Sequence, residues 1–258
     1  VSTLKEMYNS LVSAPSTIRA HSVKQANDDF LETFTRTHSA ISAVDVPNVV
    51  VVSDLHCGCR AGLCPSASIR LDDGGVYAPS SRQREVWRHW REFWDEWVPV
   101  ACHNEPFAVV VNGDALDGVH HGTKTQISQN YADQGRIAQM VLEPIRELCD
   151  GRLYMLRGTE AHSGQSAEME EMLAERLDAV PDEFGHHSRF ELWMRLGKGL
   201  IHAMHHIGST GTSHYESTAP LKELAESYTE SGRWGDTPPD VIVRSHRHRH
   251  IEIRVPTT

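Results

Sequence analysis

Five short apolar runs, at residues 49–52, 108–111, 153–156, 200–204 and 241–243, are each followed within a few residues by Asp, His or Glu. Runs of that length rich in Val, Ile and Leu predict strands buried on both faces. Between them the apolar spacing changes to three and four. Val86, Trp90, Phe93 and Trp97 predict a helix over 82–98, ended by Pro99, with its aromatic stripe in the core. A second helix is predicted over 128–148, kinked or broken at Pro144, an acidic one over 166–177 and another over 220–231. Gly197-Lys198-Gly199 predicts a hairpin between runs 190–196 and 200–204, and 251–255 alternates like a further strand. The Gly-, Ser- and Pro-containing stretch 57–80 reads as a long functional loop.

Strands alternating with helices indicate an α/β fold, and the late hairpin adds a mixed sheet or a second sheet packed on the first. Residues 1–45 carry apolar positions at helical spacing, such as Leu4, Met7, Tyr8 and Leu11. They are expected to form a helical extension that covers a sheet edge or serves as an oligomerisation arm. Residues 46–258 are expected to form the main domain.

Composition narrows the function. No apolar stretch approaches the roughly 20 residues of a membrane span, so no membrane partner is expected. The net charge of −10 argues against a broad surface for gripping nucleic acid, although bound cations would offset part of it. Five cysteines and no basic-then-apolar leader predict reduced thiols and a cytoplasmic location. Cys57, Cys59 and Cys64 lack a fourth ligand for zinc and read as ordinary loop thiols. Gly208-Ser209-Thr210-Gly211-Thr212 lacks the Lys of a nucleotide-binding loop and reads as a flexible segment.

The chemistry lies at the strand ends: Ser53-Asp54-Leu55-His56, Asn112-Gly113-Asp114-Ala115-Leu116-Asp117, Gly158-Thr159-Glu160-Ala161-His162, His205-His206 and Ser245-His246-Arg247-His248. Carboxylate and imidazole together suit Mn²⁺, Fe and Zn²⁺, with Mg²⁺ favoured by carboxylate alone. The ends of successive parallel strands are where α/β sheets hold ligands. Asp54 and His56, one residue apart, point the same way if the strand stays extended. Between His205 and His206, the first after the apolar run is the preferred ligand.

In this order the clusters resemble the calcineurin-like metallophosphoesterase family over about residues 48–250. The resemblance implies two packed mixed β-sheets flanked by helices, and hydrolysis of phosphoesters, phosphodiesters foremost, by two metal ions and a metal-bound hydroxide. It places Asp54, His56 and His248 on one metal, and His205 and His246 on the other, with Asp114 bridging. It makes His162 the acid for the leaving oxygen, steadied by Asp117. Arg157, His121 and Arg247 become candidate substrate contacts. The third cluster departs from the family pattern because it has no Asn. Glu160 is the preferred substitute ligand, with Thr159 the rival, and Mn²⁺ is the preferred metal. A nucleotide or nucleic acid is a possible substrate. The alternatives are a nuclease of the same family and an inactive scaffold that keeps the fold.

Overall fold

The apolar runs form strands, and their alternating side chains fill two separate cores. In chain order the strands are β1 (Ser42–Val44), β2 (Asn48–Val52), β3 (Ile69–Arg70), β4 (Val76–Tyr77), β5 (Phe107–Asn112), β6 (Leu153–Leu156), β7 (Ser188–Arg189), β8 (Glu191–Leu196), β9 (Gly199–Met204) and β10 (Val241–Val243). The helices are α1 (Ser81–Glu92), α2 (Val98–Ala101), α3 (Tyr131–Leu148), α4 (Glu160–Ser163), α5 (Glu168–Arg176) and α6 (Thr218–Trp234). This computed structural model describes residues 41–120, 122–208 and 215–256. The expected helices before Ile41, His121 and the segment Ser209-Thr210-Gly211-Thr212 lie outside the described residues.

The molecule is a mixed α/β protein with two four-stranded sheets, ordered β2-β5-β6-β7 and β1-β8-β9-β10, and a small β3-β4 hairpin. The first large sheet is wholly parallel, where mixed pairing was expected. The second is mixed: β8 and β9 pair antiparallel across the predicted hairpin, while β1 and β10 pair parallel to their neighbours. On β5, Ala108 and Val110 face the second sheet's Leu192, Met194 and Ala203. Val109 and Val111 face the opposite way, into a core with Ile137, Val141 and Leu142 of α3 and Leu173 of α5. A period of two therefore divides one strand between a sheet–sheet core and a sheet–helix core.

Several expected boundaries move. β1 belongs to the second sheet, so the sheet-bearing part includes Ser42–Val44, ahead of the expected boundary at 46. α1 does not end at Pro99. A π-helical turn at Phe93–Trp97 widens the register, and Pro99 falls in the first turn of α2, where its missing N–H costs nothing. The aromatic stripe meets the core only in its middle: Trp90 and Phe93 pack against the core beside buried Trp94 and Val98, while Val86 and Trp97 at its ends stay exposed. α3 runs unbroken through Pro144, and 251–255 joins no ladder.

Met194 is fully buried between the sheets. Met194→Ala is expected to lower stability by about 2–5 kcal/mol, read from the urea midpoint at unchanged slope. A loss below about 1 kcal/mol would contradict sheet-on-sheet packing as a main source of stability.

Candidate metal centre

The loops after β2 and β5 continue side by side beyond the sheet. Asp54 N–H donates to the Gly113 carbonyl at 3.1 Å, His56 N–H to Asp114 at 3.0 Å and Cys57 N–H to Ala115 at 2.9 Å. This register sets Asp54 and His56 beside Asp114. The strand itself ends at Val52, so extended geometry is not what aligns Asp54 with His56. Both residues adopt left-handed backbone, at φ 54° and 45°, as do Asp114 at 51°, His246 at 73° and His248 at 51°. Non-glycine residues in that region cost roughly 1–3 kcal/mol each and gather where surrounding structure enforces them.

Asn112, fully buried at the end of β5, joins the two sheets. Its Nδ2 donates to the Met204 carbonyl at the end of β9 (3.0 Å) and to Ser245 Oγ after β10 (2.7 Å). Its own carbonyl accepts from His205 Nδ1 at 2.7 Å. Ser245 thus uses its hydroxyl to accept from the buried amide. Two glycines permit the close approach. A Cβ on Gly113 would lie 2.6 Å from the His205 ring, and one on Gly158 would lie 2.1 Å from Asp114 Oδ1.

The result is a set of side chains able to hold a metal ion. Asp54, His56 and His248 converge in one group, and Asp114, His205 and His246 in another. Asp114 also meets His56 and His162, which places it between the two. His248 Nε2 lies 3.2 Å from Asp54 Oδ1, and His205 Nε2 lies 3.0 Å from Asp114 Oδ2 and 4.0 Å from Asp54 Oδ1. His205 is the ligand-type histidine of its pair, being buried, whereas His206 is exposed.

The donor set fits a cation. With Nδ1–H given to Asn112, neutral His205 turns its Nε2 lone pair on carboxylates. Nε2 and Asp54 Oδ1 are both buried and make no hydrogen bond. Facing acceptors repel unless a proton or a cation lies between them. Burial lowers the His205 pKa, but Asp114, the Asn112 carbonyl and Asp54 raise it more, so the net shift is upward. Asp114 shows the converse balance. Burial raises its pKa, His205 and the Thr159 N–H lower it further, and it comes to rest at about 2.

The third cluster divides its roles differently from expectation. Thr159, not Glu160, faces Asp114, with its N–H 2.7 Å and its hydroxyl 3.1 Å from Oδ1. Glu160 opens α4 as an exposed residue and joins none of the ligand groups among the described residues. Its carboxylate instead suits the positive end of the helix. His162, one turn on, brings Nε2 to 4.0 Å from Asp114 Oδ2, while its Nδ1–H donates to the Asp117 backbone carbonyl at 2.5 Å. Asp117 therefore steadies His162 through its main chain. Its carboxylate accepts from Gln126 at 2.9 Å and lies 3.6 Å from His56 Nδ1.

The expected substrate contacts are occupied elsewhere. Arg157 binds Ser188, Ser166 and Glu171, and Arg247 donates to the Gly208 carbonyl. Neither lines the cleft over the ligand cluster, whereas His120 does. The cysteines remain thiols: burial raises Cys57 strongly and Cys64 to about 11.

Glu170 contributes to the site without belonging to any of the five clusters. Fully buried on α5, it accepts the N–H of Ala115 at 3.1 Å and that of Gly158, tying together the loops that carry Asp114 and Thr159. Burial pushes its pKa up to about 7. The sequence carries a signal for it, since 170, 173, 174 and 177 share one helical face on which Glu170 is the sole charge. Compared with protein-family models, with curated proteins and with solved structures, the chain matches none. Among the described residues no helix is long and apolar enough to cross a membrane.

Because His205 holds its proton more tightly than an ordinary histidine, a cation must displace that proton. Mn²⁺ affinity is expected to rise as pH increases from about 6 to 8, with proton release visible as buffer-dependent calorimetric heat. Binding independent of pH and buffer would contradict His205 as a ligand.

Proposed function

We propose that the chain is a metal-dependent phosphoesterase that acts at a pair of divalent cations, Mn²⁺ first among them, on phosphodiester substrates. The observation that carries this reading is the convergence of Asp54, His56 and His248 beside Asp114, His205 and His246, with Asp114 also grouped with His56 and His162. It agrees with the family resemblance of the motifs. Cations held there would supply charge neutralisation at phosphorus and acidify a water.

The chain's own residues do the rest. Asp54, His56 and His248 form one side of the site, and His205 and His246 the other, with Asp114 shared. Thr159 holds the Asp114 carboxylate with two donors and so fixes its orientation. His162 keeps its Nδ1 proton on the Asp117 carbonyl, which leaves Nε2 to take up a proton and pass it to a leaving oxygen. Burial holds the His162 pKa below its ordinary value, so the protonated ring is a stronger acid. Among the described residues lining the cleft there is no Lys or Arg. That favours the single charge of a diester over a dianionic monoester, and it counts against a nuclease that grips a polyanionic backbone.

With Mn²⁺, the protein is expected to turn over bis(p-nitrophenyl) phosphate. His162→Ala is expected to lower kcat by about 10²–10⁴-fold with metal retained, and Asp114→Asn to lose both metal and turnover. Full metal occupancy without turnover of any phosphoester would support the inactive scaffold instead.

A further inference from the structure

The cleft over the ligand cluster has a volume of about 880 Å³, far more than one phosphoryl group needs. Its floor holds Asp54, His56, Asp114 and His162. One wall is made by Val86 and Trp90 of α1 and Phe93 of the π-helical turn, with exposed His89 beside them, and Leu63 also lines the cleft. Trp90 and Phe93 pack one side against the sheet–helix core and are only partly buried. They stack on each other with ring centres 6.4 Å apart and planes 24° from parallel, and Phe93 stacks on exposed Trp97 at 5.1 Å. The wall is therefore braced from behind and along its length. Side chains held this way lose little freedom when a ring is laid on them.

The charges in the cleft point the same way. The acidic groups gather at the floor, and no described lining residue is Lys or Arg. A substrate with several phosphates would find no partner beyond the cations. One with a single phosphoester and an uncharged planar group would match both the floor and the wall.

Resting on the phosphoesterase reading, we propose that Trp90, with Val86 and Phe93, is a specificity-determining surface that receives a flat, uncharged aromatic group esterified to the phosphate. The substrate class is then an aromatic phosphoester, held by its phosphoryl group at the ligand cluster and by its ring on the α1 wall.

The test compares binding of two singly charged probes, ethyl phenylphosphonate and ethyl methylphosphonate, to the Mn²⁺-loaded full chain by calorimetry. The phenyl compound is expected to bind at least about tenfold more tightly. In Trp90→Leu, which keeps an apolar side chain but removes the flat face, the ratio of the two affinities is expected to fall below about threefold. Val86→Asp alters an exposed position on the same wall without disturbing the core, and it is expected to reduce the ratio as well. Equal affinities in the wild type, a ratio unchanged in both variants, or no binding of either phosphonate would overturn the proposal. If the ratio behaves as expected but no phosphoester is hydrolysed, the aromatic surface stands and the catalytic reading fails.

Discussion

The site depends on one buried amide. Asn112 is where the parallel sheet meets the mixed sheet at their ligand-bearing ends, and it donates to both β9 and the segment after β10. Without that joint, Asp54 and Asp114 would belong to one sheet, and His205, His246 and His248 to another, joined at the site by the 3.3 Å bond from His246 N–H to Asp54 Oδ2 and by apolar packing. Apolar contact is non-directional and does not fix side-chain placement to fractions of an ångström. Hydrogen bonds do, and buried ones carry a penalty of about 1–3 kcal/mol if left unmade. The Asn112 carbonyl also selects the His205 tautomer, so the residue that aligns the sheets also aims a ligand nitrogen.

The cost of the site is visible in the backbone. Five ligand-type residues occupy the left-handed region, and two glycines allow loops to pass within contact of Asp114 and His205. The stabilising side is equally specific. The loops after β2 and β5 hydrogen-bond to each other, and Glu170 secures the loops after β5 and β6 from below. The strained segments are thus held from the sheet and the helix layer, as a preorganised site requires.

Much of this is legible in the sequence. The strand positions follow from apolar runs, because burial on both faces leaves little ambiguity. The ligand types at their ends follow because polar residues after buried strands are costly without a use. The third cluster is less legible. Thr159 and Glu160 differ by one residue, and ligand chemistry favours the carboxylate, whereas at the start of α4 it is Thr159 that meets Asp114 and Glu160 that is exposed. Arg157 is a reasonable cation for a phosphate, but Glu171 and Ser188 hold it, and sequence does not show which partner claims a side chain. A single helical period assigns the aromatic stripe of α1 to the core. Trp90 and Phe93 do reach the core, but the π-helical turn at Phe93–Trp97 changes the period and brings Trp94 inward while Trp97 stays exposed, which a pattern of three and four does not reveal.

Anomalous diffraction from crystals soaked in Mn²⁺ tests most directly the proposed pair of cations, held by side chains from the segments after β2, β5, β9 and β10. Two peaks about 3.5–4 Å apart, one beside Asp54, His56 and His248 and the other beside His205 and His246, are the predicted result. Peaks elsewhere, or none at these residues under saturating metal, would contradict it.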